Sequence, residues 1–333
     1  MSTTVAAYQL VETDEGVRGR HTRIPLEDLG EGDVLIRVTY SSVNYKDGLA
    51  ATGRAPIARR FPLVGGCCAA GTVVEPGESR LPADTVVAVV GATLSEQHNG
   101  GYCEYLRVPA AWVVAVPEAF TSRQAAAIGT AGVTSAMAVV KLEDAGVTPE
   151  SGPIAVTGAS GGAGSLAVAL LAARGYEVTA LTGKPEAEDL LRDLGAANVA
   201  PRPDTSGTRP LERGTWAGAV DTVGGDTLAW LTRTVAPGGS IAAFGNAGGN
   251  RLTTTVLPFI LRGINLLGVT VTFPAAELRE RVWELLASSL SREALDAIAT
   301  DVDFEDLDDA LRRIVTTGVV GRQVVRIGGE AAV

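Results

Sequence analysis

An α/β chain with two domains, one mostly β and one a doubly wound parallel sheet, is expected from three features of these 333 residues. Short β-branched runs cut by Gly, Pro and Asp fill the N-terminal third, whereas from Ser122 onward apolar helices alternate with strands. The segment IAVTGASGGAGSLAVALL (154–171) joins a β-branched strand to an apolar helix through a glycine-rich turn. Finally, the chain exceeds the length of a usual single core, and 46% hydrophobic with 20% charged residues gives enough apolar surface for two.

In order along the chain, DVLIRVTYSSV, GTVVE, TVVAVVGA and EYLRVPAAWVVAVP read as strands of an antiparallel, partly barrel-like domain. Then QAAAIGTAGVTSAMAVVKLEDAG predicts a helix, followed by IAVTG, SLAVALLAARG, EVTALTG, AEDLLRDLG, AGAVDTVGG, DTLAWLTRTV, GSIAAFGNAGG and INLLGVTV. Beyond Val271 the helix ELRERVWELLASSL, a second helix near DLDDALRRIVTTG and a strand QVVRI are expected to return to the first domain. The predicted boundaries are therefore 1–123 with 272–333 for the first domain, and 124–271 for the second.

The glycines of the turn are spaced GxxGxxG (Gly158, Gly161, Gly164), a form suited to phosphate. N–H groups in a first helical turn lack intrahelical acceptors, and their dipoles sum to a partial positive charge. The simpler reading is a plain strand-to-helix turn. The residue ending the next strand, Tyr176 to Leu181, selects the dinucleotide: an acid there accepts from a ribose 2′-hydroxyl, while a 2′-phosphate requires its absence. Here Thr182, Gly183 and Lys184 follow, offering a hydroxyl and a cation, so the chemistry favours NADPH over NADH. Arg202 and Arg209 lie in the following segment and could close over the same phosphate, although Lys184 and Arg209 also read as ordinary solvated cations.

A net charge of −10 with no basic block argues against nucleic-acid binding through phosphates. Three cysteines, Cys67, Cys68 and Cys103, offer no disulfide framework and suit a reducing compartment. No apolar run is read as long enough to span a bilayer, and the N-terminus lacks a basic region followed by a hydrophobic core, so the expectation is a cytoplasmic protein without membrane partners. The adjacent Cys67 and Cys68 read as small buried fillers, and no metal site is expected.

Several strings in register carry a more specific likeness: SSVNYKDGLAATG (41–53), RRFPLVGG with AGTV (59–73), IGTAGVTSAMAV (128–139), LEDAGV (142–147), VTGASGGAGS (156–165), WAGAVDTVG (216–224), TTVLPFILRGINLLGV (254–269) and VGRQVV. Together they resemble the medium-chain dehydrogenase/reductase superfamily, in its zinc-free quinone oxidoreductase branch, and within it the acrylyl-CoA reductase (YhdH/YhfP-type) family. The resemblance covers nearly the whole chain. It implies a GroES-like mostly-β catalytic domain plus a Rossmann domain, and an NADPH-dependent reductase delivering hydride to a carbon–carbon double bond conjugated to a carbonyl or thioester, usually as a homodimer. It also implies cofactor contacts from Tyr45, from Ser160, Gly161, Gly162 and Ala163 at the diphosphate, from Thr182, Gly183, Lys184 and Arg202 at the 2′-phosphate, and from Asn246 and Ile260 nearer the nicotinamide. Asn246 also makes sense independently, following the predicted fifth strand where open α/β sheets bind ligands. Asn44 and Tyr45 stand where zinc-dependent relatives have Cys and His.

Without a Lewis acid, such a reaction needs donors prearranged toward the enolate oxygen. Asn44, Tyr45 and Lys46 are the candidates; Asn44 alternatively reads as a turn residue bonding its own backbone, and Lys46 with Asp47 as a structural ion pair. Relatives commonly read PGIDFAG where this chain has GGCCAAG (65–71), and an aromatic where it has Asn99, which predicts a roomier substrate pocket and opens the choice between acrylyl-CoA and a larger enone or quinone. Arg54, Arg59 and Arg60 could bind coenzyme A phosphates or be simply solvated. The function readings are an NADPH-dependent enoyl or enone reductase, an NADPH:quinone oxidoreductase, and a non-catalytic NADPH-binding protein.

Overall fold

Alternating buried and exposed residues build the first hairpin, β1 (Thr4–Thr13) with β2 (Gly16–Pro25), in antiparallel register from Thr4 opposite Pro25 to Thr13 opposite Gly16. The computed structural model describes residues 3–316 and 318–328. The long strand β3 (Val34–Val43) leads into the short helix α1 (Tyr45–Ala51), and β4 (Leu63–Val64) closes a three-stranded sheet against β1. β5 (Cys68–Glu75), β6 (Val86–Val90), β7 (Tyr105–Val108) and β8 (Val114–Ala115) follow, all antiparallel to their partners. Tyr8, Leu10, Ile36, Val38, Val87, Val89, Tyr102 and Leu106 are among the residues of their shared core.

Helix α2 (Ser122–Asp144) leaves helical geometry at Gly129, whose φ of 44° favours glycine, and where an added Cβ would lie 2.7 Å from Ser42 Oγ. By length and composition α2 could cross a membrane, contrary to the sequence reading, but most of it is buried among the protein's own residues.

The second unit comprises residues 131–270 and 274–298. Its strands are β9 (Ile154–Thr157), β10 (Val178–Thr182), β11 (Asn198–Pro201), β12 (Trp216–Asp221), β13 (Val235–Ala243) and β14 (Asn265–Gly268). They form one parallel sheet in the order β11-β10-β9-β12-β13-β14, that is third, second, first, fourth, fifth, sixth. This is the doubly wound arrangement with its reversal between β9 and β12, beyond whose carboxyl ends ligands bind. Helices α3 (Gly162–Ala173), α4 (Glu188–Asp193), α5 (Gly225–Thr234) and α6 (Leu257–Arg262) make the connections.

The expected return after Val271 is corrected. Only Val271–Phe273 belong to the first unit there; α7 (Ala276–Ser289) and α8 (Arg292–Ile298) pack on α3 and stay with the second. The buried face of α7, with Val282, Trp283, Leu285 and Leu286, finds its apolar partner on a Rossmann helix, which helical periodicity alone could not reveal. The chain rejoins the first unit at Ala299, with β15 (Ala299–Asp303), α9 (Leu307–Thr316) and β16 (Arg322–Arg326). These complete the order β15-β16-β3-β5-β6-β8, with β7 also on β3. Residues 1–2, 317 and 329–333 of the predicted first domain lie outside the described residues.

Candidate functional site

In the second unit, the turn after β9 has the local geometry that its glycines permit. Gly158 sits at φ 59°, and a Cβ on Gly164 would lie 2.3 Å from the Gly158 carbonyl oxygen, so helix α3 can start this close to the strand only without side chains. Gly161 is the N-cap, and the first-turn N–H groups of Gly162, Ala163 and Gly164 face outward from the helix start as donors without intrahelical acceptors. Behind the turn, the fully buried Asp221 at the end of β12 accepts from Thr157 Oγ1 at 2.7 Å and from the Gly224 N–H at 2.8 Å. Burial pushes the Asp221 carboxyl up, against the hydrogen bonds that hold it down. This carboxyl group staples the ends of the two central strands.

At the tip of β10 the Thr182 hydroxyl donates to Ser160 Oγ at 2.7 Å, while Lys184 N–H donates to Thr182 Oγ1 at 3.1 Å. Both hydroxyls are buried; the Thr182 proton serves Ser160, which leaves the Ser160 proton for a further acceptor. Arg202 lies against Gly183: a Cβ there would stand 2.3 Å from Arg202 Nε. Partial burial holds the Lys184 ammonium below the usual lysine range, with the Glu186 charge opposing the shift and the Arg202 charge adding to it. Among the described residues neither cation makes an ion pair. Two unpaired cations beside one strand end, with no acid among Thr182, Gly183 and Lys184, form a place for a doubly charged anion.

Asn246 follows β13, the fifth strand, on the carboxyl side of the sheet, and its carbonyl accepts from Gly249 N–H at 3.0 Å. Ile260 is not gathered with these residues. It sits 68% exposed on α6, two residues before Arg262, whose guanidinium donates to the carbonyls of Arg233 and Val235 at the opposite, amino-terminal end of β13. Arg209 lies farther along the loop after β11, lining a small depression with Arg233 and Thr254, away from the Lys184 and Arg202 pair.

In the first unit, Asn44, Tyr45 and Lys46 begin α1, and the structure separates their roles. The Asn44 amide is buried and spent: Nδ2 donates to Ser42 O at 3.1 Å and Asp47 Oδ2 at 3.0 Å, and Oδ1 accepts from Arg322 Nη1 at 3.1 Å. Asp47 Oδ2 also accepts from Asn44 N–H at 3.0 Å, tying down the helix N-terminus. Burial pushes the Asp47 carboxyl up, although its hydrogen bonds oppose this. Asn44 therefore matches the alternative reading, a residue bonding its own turn. Lys46 pairs with Glu96, not with Asp47 as considered from sequence. Tyr45 is half-buried, and among the described residues its hydroxyl makes no hydrogen bond.

The roomier pocket expected from GGCCAAG is not where those residues lie. Ala69 belongs to the first unit's core, and Cys67 and Cys68 are each 1% exposed. Asn99 accepts from Val64 N–H at 3.0 Å and donates to Leu29 O at 2.9 Å, so it too is a buried brace. Nor are the cysteines mere apolar fillers: Ser42, Asn44, Asp47 and Thr130 all bond them. Arg54 and Arg60 spend donors on the carbonyls of Val315 and Gln97.

With this geometry in view, the chain is 44% identical to the acrylyl-CoA reductase AcuI of Ruegeria pomeroyi over 92% of its length and 93% of that protein's. The chain belongs to the medium-chain dehydrogenase/reductase superfamily. Family models for an alcohol dehydrogenase GroES-like domain and a zinc-binding dehydrogenase match residues 30–118 and 162–288 of this superfamily member. It is similar to Escherichia coli K-12 YhdH with bound NADPH, at 41% identity and a TM-score of 0.94 over 97% of this chain and all of that one. It is also similar to Bacillus subtilis yhfP with NAD bound, at 40% identity and 0.92 over 98% of this chain and all of that one. The zinc implied by the second model's description does not fit the donors present. Among the described residues no three His, Cys, Asp or Glu side chains are arranged to hold a metal ion, and the amide of Asn44 is fully engaged within the fold.

Proposed function

We propose that this chain is an NADPH-dependent oxidoreductase that reduces the carbon–carbon double bond of an α,β-unsaturated carbonyl or enoyl thioester of the acrylyl-CoA kind. The observation that carries the reading is the pair Lys184 and Arg202, unpaired beside Gly183 at the end of β10, next to the glycine turn. NADPH, when bound, supplies a hydride. The N–H groups of Gly162, Ala163 and Gly164, in the turn closed by the Gly161 N–H on the Gly158 carbonyl and with the Ser160 hydroxyl that Thr182 holds in place, would receive the diphosphate. Lys184 and Arg202 would receive the 2′-phosphate, and Asn246 would lie toward the nicotinamide.

Of the three candidate donors to the substrate oxygen, Tyr45 is the one left free, and it is the residue we assign to that task. Lys46, held by Glu96, would add positive potential, and Asn44 would fix the loop. A prearranged donor of this kind contributes a few kcal/mol to a developing enolate, on the order of 3. The test is loss of NADPH absorbance with acrylyl-CoA, simple enones and quinones. Turnover of thioester or enone supports the reading, and tight NADPH binding without turnover across the panel favours a non-catalytic binder. YhfP, provisionally assigned to the quinone oxidoreductases, is 41% identical over 98% of this chain and supports quinone reduction as the second reading.

A homodimer accords with β14, an edge strand of the parallel sheet, flanked by the exposed apolar side chains Val256, Ile260 and Leu261 at 66%, 68% and 64%. Three unpaired cysteines accord with a cytoplasmic location.

A further inference from the structure

Arg322, the first residue of β16, is 3% exposed, and its guanidinium donates only to uncharged acceptors: Ala127 O at 2.9 Å, Val43 O at 3.3 Å, Asn44 Oδ1 at 3.1 Å and Ser42 Oγ at 2.6 Å. Among the described residues it makes no ion pair with a carboxylate. A guanidinium does not deprotonate in a protein, so its charge needs a counter-ion nearby. Asp47 is the nearest carboxylate in the cluster, but its oxygens are committed to Cys67 N–H at 2.9 Å and to Asn44, and the Asn44 side chain stands between it and Arg322.

Of the groups whose charge supports that of Arg322, Cys68 acts most strongly, ahead of Cys67 and Asp47, and its Sγ lies 3.0 Å from Ser42 Oγ. Arg322 can only donate, so Ser42 accepts from Arg322 and its own proton is free for a second partner. If Cys68 is a thiolate, the chain runs Arg322 N–H to Ser42 O, then Ser42 O–H to Cys68 S⁻, and every proton is used. A thiol sulfur accepts that proton only weakly, so a thiolate is the stronger partner for the Ser42 hydroxyl. The neighbouring Cys67 differs: its Sγ faces the Asp47 carboxyl at 3.4 Å, a negative neighbour that helps keep the proton on the Cys67 sulfur.

We infer that Cys68 is a buried thiolate that balances Arg322 through Ser42, and thereby acts as a positioning residue: the pair holds Asn44, and Asn44 holds the α1 turn that bears Tyr45 and Lys46. The effect on catalysis rests on the assignment of Tyr45 and Lys46 above; the ionic state of Cys68 does not. The groups facing Cys68 are Ser42 on β3, Arg322 on β16, Asn44, Lys46 and Asp47 around α1, Cys67 beside it, Tyr102 with its hydroxyl on Ser42 O, and the start of α2 at Gly129. A hydrogen bond from Cys67, then Ser42 and Arg322, pulls the Cys68 thiol down to about 6 against burial and the Asp47 charge, while Cys67 is pushed up.

The experiment is a thiolate absorbance titration at about 240 nm on the full chain, in wild type, Cys67→Ser, Cys68→Ser and Cys68→Asp. One thiolate should appear with a midpoint near 6 in wild type, persist in Cys67→Ser and vanish in Cys68→Ser. Because the folded value lies below the thiol's ordinary 9.0, the stability gained grows as pH rises from about 6 toward 9.0 and is lost as pH falls back through 6. The melting-temperature gap between wild type and Cys68→Ser should widen over that window, and Cys68→Asp should restore most of it. With enone as substrate, kcat should fall about tenfold or more in Cys68→Ser and recover in Cys68→Asp. A thiolate seen only near the ordinary 9.0, or a gap that does not change with pH, overturns the inference. An intact thiolate signal in a protein without turnover would overturn the catalytic assignment alone.

Discussion

Gly183→Ala isolates the proposed 2′-phosphate site without disturbing the fold. The backbone at Gly183 is not in the left-handed region, so alanine meets no conformational strain there. Its Cβ would, however, stand 2.3 Å from Arg202 Nε, 2.8 Å from Cζ and 3.0 Å from Cδ. Unbonded heavy atoms rest at about 3.5–4.0 Å, so the guanidinium must retreat by roughly 1.5 Å. The clash is with a flexible side chain on an exposed surface, so Arg202 moves and the sheet does not. A charge-assisted hydrogen bond tolerates no such lengthening. Exposure to solvent puts the loss at the lower end of the range for a charged partner, about 1.5 kcal/mol, or roughly tenfold in NADPH Kd. NADH, lacking the phosphate, should bind as before. Arg202→Ala should give the same loss, and the double variant no more than either alone, since both remove one interaction. Fluorescence titration of both coenzymes at low and high salt reads all of this, and the NADPH-specific increment should shrink with salt. Equal weakening for NADH and NADPH, or additive losses in the double variant, would refute the placement of the phosphate beside Gly183.

Four further outcomes are expected. Asn44→Ala strands Arg322 and unties α1, and should cost about 2–4 kcal/mol in denaturant unfolding while changing NADPH Kd only severalfold or so, because the proposed diphosphate and 2′-phosphate contacts lie in the other unit. Ile260→Glu should convert the proposed dimer to monomer in light scattering, since a charge would replace an apolar side chain beside the β14 edge. Asp144 is held below its ordinary carboxylate range by the two hydrogen bonds of Arg281, so its stabilisation is present above 3.8 and is lost as pH falls below it. Asp144→Asn should lower the melting temperature slightly at neutral pH, by less near pH 3, the group being half-exposed. Prolonged chelation with metal analysis should leave turnover unchanged, because among the described residues no group of His, Cys, Asp and Glu is arranged to hold zinc.

Legibility followed the range of the interactions. The glycine turn, the parallel order around it and the missing acid after β10 are local signals, since a φ above zero, a period of two and a residue type can be read from a short window. The hairpin of β1 and β2 escaped detection because its outer strand carries Arg18, Arg20, His21 and Arg23 and shows little apolar alternation. β11, only Asn198–Pro201, is an edge strand ending in proline, a composition that reads as loop. Partners distant in sequence were out of reach altogether. Arg322 meets Asn44 across 278 residues, so nothing near SSVNYKDG tells that the asparagine is spent, and nothing in ELRERVWELLASSL tells which unit its buried face joins.

Charge is managed in opposite ways in the two units. In the first, Lys46 meets Glu96, Asp47 is ringed by N–H donors, and Arg322 is bonded through Ser42 to a sulfur, so each charge is answered from within and the α1 turn is fixed. In the second, Lys184 and Arg202 stand side by side without an ion pair among the described residues, and partial burial, joined by the Arg202 charge and opposed by that of Glu186, makes the Lys184 ammonium easier to deprotonate. A fold keeps two such cations together only at a cost, which a bound dianion would reverse. The same logic explains why Tyr45 stands out beside its neighbours. A donor already bonded inside the protein must break that bond to serve a substrate, whereas a free hydroxyl on a fixed turn can stabilise developing charge without reorganisation.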